Sequence, residues 1–301
     1  MALIPDFYIN AVVAIGEKEN GITRWFGTGF FVGKESLGGG YYLYLVTNRH
    51  VIQDKKDILI RFKRKNTECL IEQIIPLCNF DDAFFTTSNN KLIDIAVISI
   101  DGSLISDDVE NFGFFDIDAN SYTSNEYLFE GGNIGSPVFM LGYPMGLVED
   151  YSNLPICRVG CMARIDKIEL RNNYRFLLDI MNYPGNSGSP ILSAPDNCSI
   201  NNTKAINKCQ LIGIVHSYIP YEEQLLNIQS KKVVEIRSEN SGIAIANPVE
   251  CIKELINKDL FTRGIYNYKG SLFDLKYIDE DYGIHGSISE EELNDILKSE
   301  Y

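Results

Sequence analysis

One serine in this chain is set apart by its flanks. Ser187 lies in NYPGNSGSP, residues 182–190, between two apolar runs, FLLDIM at 176–181 and PIL at 190–192. Two glycines and a prolyl bond surround a hydroxyl between segments that read as strands. A surface turn has that composition, and so does a strained loop that presents a nucleophile. A serine hydroxyl is a weak nucleophile. It needs a base within hydrogen-bond reach, a group that orients the base, and donors for the oxyanion that develops.

The chain holds three histidines that could be the base. His285 lies in an acidic C-terminal stretch and reads as solvated. His216 ends a strand-like run, LIGIVH. His50 ends another, LYLVTNRH, where a strand gives way to a turn or short helix. That is a mouth-of-barrel position. For the orienting group, Asp94 interrupts the apolar pattern LIDIAVISI at 92–100. Burying an unpaired carboxylate is expensive, so Asp94 needs a partner, and the Nδ1–H of a histidine would serve. Asp81 and Asp82 are alternatives within a turn cluster. The loop itself offers the oxyanion donors. Gly185 can adopt a backbone conformation closed to other residues, which turns its N–H and that of Ser187 toward one point. Gly188 leaves room for a substrate backbone to pass.

These groups need a scaffold, and composition bounds it. The chain has 301 residues, 45% hydrophobic and 11% aromatic, enough for one large or two small domains. Strand-like runs of valine, isoleucine, tyrosine and phenylalanine, broken by Gly, Asn, Asp and Pro, read as mostly β. The spacing predicts strands at 11–16, 27–32, 41–47, 58–62, 68–76 and 93–100. After a polar stretch at 102–135 it predicts more at 137–142, 156–170, 176–181, 190–193, 210–216 and 242–246. Two sets of short strands joined by a linker imply two β-barrels. Asn247 followed by Pro248 and Glu250 forms a capping-box pattern that opens a helix over 248–260. A second such pattern at Ser289 opens a helix over 290–298.

The formal charge of −14 repels nucleic acid and anionic membrane surfaces. No stretch is long and apolar enough to span a bilayer. The first residues lack the basic and small-residue marks of a signal peptide. With an odd count of seven cysteines, the expectation is a cytoplasmic protein with reduced thiols. Cys157 and Cys161 lie four apart in a strand, too far to pair, whereas Cys198 and Cys209 flank a polar loop and could pair in an oxidising setting. The absence of CxxC and the few histidines offer no metal site, and no cofactor motif occurs.

Together TNRHV, DIAV and GNSGSP, in the order His, Asp, Ser, resemble the trypsin-like (chymotrypsin-fold) serine peptidases, in particular their HtrA-like branch. GTGFFV at 27–32, VFMLGYPMGL at 138–147 and GIAIANPVECIKELI at 242–256 resemble further segments of that branch. The resemblance covers residues 11–256. His50 and Asp94 are 44 positions apart and Asp94 and Ser187 are 93 apart, spacings similar to the family's. It implies an all-β fold of two six-stranded antiparallel barrels, at about 8–105 and 134–247, with a closing helix at 248–260. Residues 1–257 would form the peptidase domain and 261–301 an acidic extension too short for a PDZ domain.

The resemblance further implies Ser187 as nucleophile, His50 as general base, Asp94 as its orienter, and Gly185 and Ser187 N–H as the oxyanion hole. Asn186 stands where amine-activated relatives keep an Asp, which argues against zymogen activation by a new N-terminus. Met181, Asn182, Val215, His216 and Tyr218 would line the substrate pocket. Met181 stands where tryptic relatives carry an acid, so the residue before the scissile bond would be apolar rather than Lys or Arg. An acidic residue read by His216 is the alternative. A catalytically idle binding module on the same fold is another. The expected partner is a protein or peptide substrate. A regulatory partner could dock on the C-terminal extension or on insertions at 102–135, 196–208 and 219–241.

Overall fold

The computed structural model describes residues 3–36, 38–67, 69–79, 82–83, 85–102, 105, 109–196, 204–226, 229–230 and 233–263. Residues 264–301 of the acidic extension, its expected helix at 290–298, Asp81, His285 and Cys198 lie outside the described residues, whereas 261 and 262 end the closing helix.

The first half holds strands β1 (Val12–Glu19), β2 (Ile22–Glu35), β3 (Tyr41–Thr47), β4 (Asp57–Lys63) and β5 (Leu70–Pro76). It continues through β6 (Cys78–Asn79), β7 (Asp82–Ala83), β8 (Phe85–Thr87), β9 (Ala96–Ile100) and β10 (Phe115–Asp116). The second half holds β11 (Pro137–Gly142), β12 (Ile156–Arg164), β13 (Phe176–Asp179), β14 (Pro190–Ser193), β15 (Leu211–Leu226) and β16 (Val233–Pro248). Among the described residues the α-helices are α1 (Asp6–Ile9), α2 (Arg49–Ile52), α3 (Ser124–Phe129), α4 (Lys167–Asn173) and α5 (Val249–Thr262).

The all-β fold is present. The second half closes as a six-stranded antiparallel barrel, β11-β12-β13-β16-β15-β14. The first half is an eight-stranded sheet ordered β5-β4-β1-β2-β3-β9-β8, with β10 added in parallel on β2. Among the described residues no strand pair closes it into a six-stranded ring.

The period of two along each strand sorts its side chains between two cores. On β2, Phe31 enters a core within the first sheet, with Val13, Ile15, Leu45 and Ile98, while Phe30 and Val32 face the second half. On β11, Val138 and Met140 fill the barrel, while Phe139 and Leu141 meet the first half. Both faces are covered, so these strands read as unbroken apolar runs rather than alternating ones. Helix α5 seals the joint with Val249, Ile252, Leu255 and Ile256. Its buried Asp259 accepts hydrogen bonds from Tyr44 Oη at 2.9 Å and Thr86 Oγ1 at 3.0 Å.

Several sequence expectations are corrected. The stretch at 102–135 is more than a linker: it contributes β10, α3 and the buried Phe115, Ile117 and Tyr127. The segment at 156–170 is β12 followed by α4, because Asp166 caps a helix through Ile168 N and Glu169 N. The insertion at 219–241 extends β15 and β16 into a long ribbon. The capping box at Asn247 does not form. Helix α5 starts at Val249 after an N-cap Pro248 that makes no side-chain bond, because tertiary partners take both Asn247 and Glu250.

Candidate active site

His50 stands on α2, one turn of helix directly after β3. Asp94 precedes β9, which starts at Ala96, so it lies in the loop before the strand rather than inside it. The His50 Nδ1 and Asp94 Oδ2 are joined by a short hydrogen bond, and His50 N–H donates to Asp94 Oδ1 at 3.1 Å. A carboxylate can only accept, so the imidazole proton sits on Nδ1 and Nε2 is left as a base. Among the described residues Nε2 has no partner.

The Asp94 backbone is held from three directions. Asn48 Nδ2 donates to its carbonyl at 2.8 Å, and Arg49 N–H donates to the same oxygen at 3.3 Å. Asp94 N–H donates to Asn247 Oδ1 at 3.1 Å. Asn247 is fully buried and also donates to Leu92 O at 3.1 Å and Tyr174 O at 2.7 Å. A side chain from the closed barrel therefore fixes the carboxylate loop of the other half.

Ser187 lies in the loop between β13 and β14. Gly185 and Gly188 have φ of 95° and 89°, a left-handed region that penalises a Cβ. A Cβ at Gly188 would also lie 2.0 Å from Thr28 O and 2.5 Å from Thr47 Oγ1. Gly188 is thus required where the loop presses on strands β2 and β3, not where a substrate passes.

Thr28, fully buried, joins the two halves here. Its N–H donates to Ser187 O at 2.9 Å, and its hydroxyl donates to Gly185 O at 2.7 Å. The hydroxyl also accepts from Tyr143 N–H at 3.0 Å. The Thr28 carbonyl accepts from Thr47 Oγ1 at 2.7 Å, three residues before His50. The serine loop and the histidine turn are therefore tied to one residue. No hydrogen bond joins the Ser187 hydroxyl to His50 among the described residues.

Within the loop, Asn186 N–H donates to Tyr183 O, Gly188 N–H to Val215 O, and Ser189 N–H to Asn186 O. The N–H groups of Gly185 and Ser187 make no hydrogen bond among the described residues. Unpaired backbone donors are uncommon in a packed loop.

Residues 27–198, more than half of the chain, match the family described as a trypsin-like peptidase domain. The chain belongs to that family. No curated protein sequence matches it. Among solved structures it is similar to a serine endoprotease from Yersinia pestis, at 18% identity over 86% of this chain and 65% of that one, TM-score 0.47. It is also similar to the HtrA-type protease AlgW with tripeptide, at 19% identity over 86% and 62%, TM-score 0.48. A third is the MamO protease domain from Magnetospirillum magneticum, at 14% identity over 82% and 96%, TM-score 0.43. The chain spans less than two thirds of the length of the first two.

The five expected pocket residues differ in what they present. Met181 is 46% exposed and Tyr218 37%. Asn182 Nδ2 donates to Ser217 O at 3.0 Å, and its carbonyl accepts from Asn240 Nδ2 at 2.5 Å. Val215 turns its side chain into the barrel core and contributes only backbone to this region. Its N–H donates to Ser189 O at 3.1 Å. His216 stands beside the His50–Asp94 pair, with Ser217 Oγ 3.0 Å from its Nδ1. Burial pushes its pKa down to about 4, with His50 and Arg175 adding to the shift and Asp94 opposing it.

An open cleft of about 370 Å³ is lined by His50, Asp94 and His216 together with Arg49, Lys91 and Arg175. Of the five expected pocket residues, only His216 lines it. Sequence reasoning missed Thr28 and Asn247. The signal was the one that flagged Asp94, a lone polar residue inside an apolar strand pattern.

Proposed function

We propose that this chain is a serine endopeptidase in which residues 1–257 act as one catalytic unit. The single observation that carries the proposal is the pair of unengaged N–H groups, Gly185 and Ser187, on a loop that Thr28 ties to the His50–Asp94 pair. Ser187 Oγ adds to the carbonyl carbon of a peptide bond as His50 Nε2 takes its proton. Asp94 keeps the imidazole in the required tautomer and stabilises the imidazolium. The carbonyl oxygen, now negative, accepts from Gly185 and Ser187 N–H. His50 then protonates the leaving amine, and water, activated by the same imidazole, releases the acyl group from Ser187.

The residue before the scissile bond is apolar. Met181 lies half-exposed near that pocket, and His216, held neutral by its low pKa, supplies no cation for an acidic side chain at neutral pH. The substrate is a protein or peptide. Among the described residues Cys69, Cys157, Cys161, Cys209 and Cys251 are free, and the setting we propose is the cytoplasm. The extension at 261–301 and the ribbon insertion are the places for a regulatory partner.

A fluorophosphonate probe tests this reading. It is expected to label the wild type at one residue, and Ser187→Ala is expected to lose the label. Asp94→Asn is expected to lower kcat by roughly 10³- to 10⁴-fold with the fold intact. Wild-type protein that neither labels nor cleaves peptides, yet binds them, would assign the chain to the idle binding module.

A further inference from the structure

The cleft beside His50 carries three cations, Arg49, Lys91 and Arg175, against one carboxylate, Asp94. Asp94 is already engaged by His50. Arg175 is ion-paired with Glu169 at 2.7 Å. Arg49 donates to a neutral acceptor, Ser88 O, at 3.3 Å. Among the described residues neither Arg49 nor Lys91 meets a carboxylate. A chain with 41 acidic and 27 basic residues has ample carboxylate to neutralise two more cations. Among the described residues these two cations face an open cleft next to the reacting groups. A one-sign cleft with protein walls concentrates counter-charge from solution.

We infer that this cleft is a subsite for an acidic side chain of the substrate, separate from the pocket that takes the residue before the scissile bond. The two sites share one residue, His216, and otherwise differ. Met181, Asn182, Val215 and Tyr218 do not line the cleft, whereas Arg49, Lys91 and Asp94 do. Arg49 is adjacent in sequence to His50, so a bound carboxylate lies within one or a few substrate residues of the cleaved bond. Arg49 presents the fork that suits a carboxylate, and Lys91, in an exposed turn, adds a mobile point charge. The subsite rests on the peptidase reading for its role in catalysis, although binding of the acidic side chain does not need turnover.

The test uses fluorogenic peptides with Leu, Val or Ala before the cleaved bond and one Glu walked through the four positions before that bond and the three after it. Each has a Gln-matched control. The expected result is one position, other than that immediately before the bond, where Glu raises kcat/KM about tenfold over Gln in low salt. The ratio is expected to shrink in high salt and to collapse toward unity in Lys91→Glu, but to persist in Lys91→Arg. A ratio near one at every position overturns the inference. So does a gain confined to the residue before the bond, or a gain that Lys91→Glu leaves intact. Fluorescence anisotropy of the same peptides with the Ser187→Ala protein separates the two readings. If nothing is cleaved but the Glu peptide binds tighter than its Gln control, the peptidase reading falls and the subsite stands. Equal affinities with normal cleavage by the wild type remove the subsite alone.

Discussion

Asn247 does at one position what a capping residue and a linker would do at two. Its amide accepts from Asp94 N–H and donates to two carbonyls, Leu92 O and Tyr174 O. All three partners lie in loops, and among the described residues no other side chain of the barrel hydrogen-bonds the Asp94 backbone. Removing it unpairs buried polar groups, each costing about 1–3 kcal/mol. Asn247→Ala is therefore expected to lose about 2–4 kcal/mol in denaturant unfolding. It is also expected to lower kcat more than it raises KM, since the carboxylate that orients His50 drifts while the substrate pocket stays. An unchanged kcat in a destabilised but folded variant would reduce Asn247 to a purely structural residue. The same logic explains why Asn247 was misread. A local capping pattern is a weak preference, and three buried hydrogen bonds outweigh it.

At the scale of elements, β15 and β16 share one hairpin that serves two purposes. Their barrel halves pair with β14 and β13, and place Val215, His216 and Ser217 beside the serine loop. Their outer halves pair only with each other, from Pro220 with Asn240 to Leu226 with Val233. The described residues at 219–226 and 233–239 are all exposed. A two-stranded ribbon with no buried face adds little stability. Replacing residues 221–239 by an Asn-Gly turn is expected to leave the barrel's unfolding free energy within about 0.5 kcal/mol of wild type. A loss well beyond that in calorimetry would mean that the ribbon packs on the barrel. The ribbon was illegible in the sequence because its strands mix charged and apolar residues without a period of two and bury neither face. By contrast β3, β11 and β14 have the predicted ends, since short apolar runs between turn residues leave little freedom. The His50–Asp94 pairing and the glycine loop were legible because a carboxylate beside an apolar run needs a partner and paired glycines mark special backbone. The Arg49–Lys91–Arg175 cleft was not, because it draws on segments far apart in the chain.

For the molecule as a whole, two ionisable groups, His216 and Glu250, contribute to the pH dependence with opposite signs. His216 has its pKa pushed down by burial to about 4 from an ordinary 6.5. Between those values the unfolded chain binds a proton there and the folded chain does not. The stability contribution is whole above pH 6.5 and is lost as pH falls to about 4. The slope is about 1.4 kcal/mol per pH unit and the total about 3 kcal/mol. Glu250, at the start of α5, is raised by burial above its ordinary 4.5, against the hydrogen bond of 2.6 Å that Ser124 N–H donates to it. In its case the folded chain holds the proton longer, so stability is whole below pH 4.5 and erodes as pH rises. Urea unfolding across pH 4–8 separates the two. The stability of His216→Asn relative to wild type is expected to improve steadily as pH falls below 6.5. Glu250→Gln relative to wild type is expected to improve as pH rises above 4.5, because the glutamine carbonyl keeps the Ser124 bond without a charge to bury. Parallel curves for His216→Asn and wild type would mean that the ring protonates in place, and His216 would then be a cation beside Asp94 and His50 at mildly acid pH.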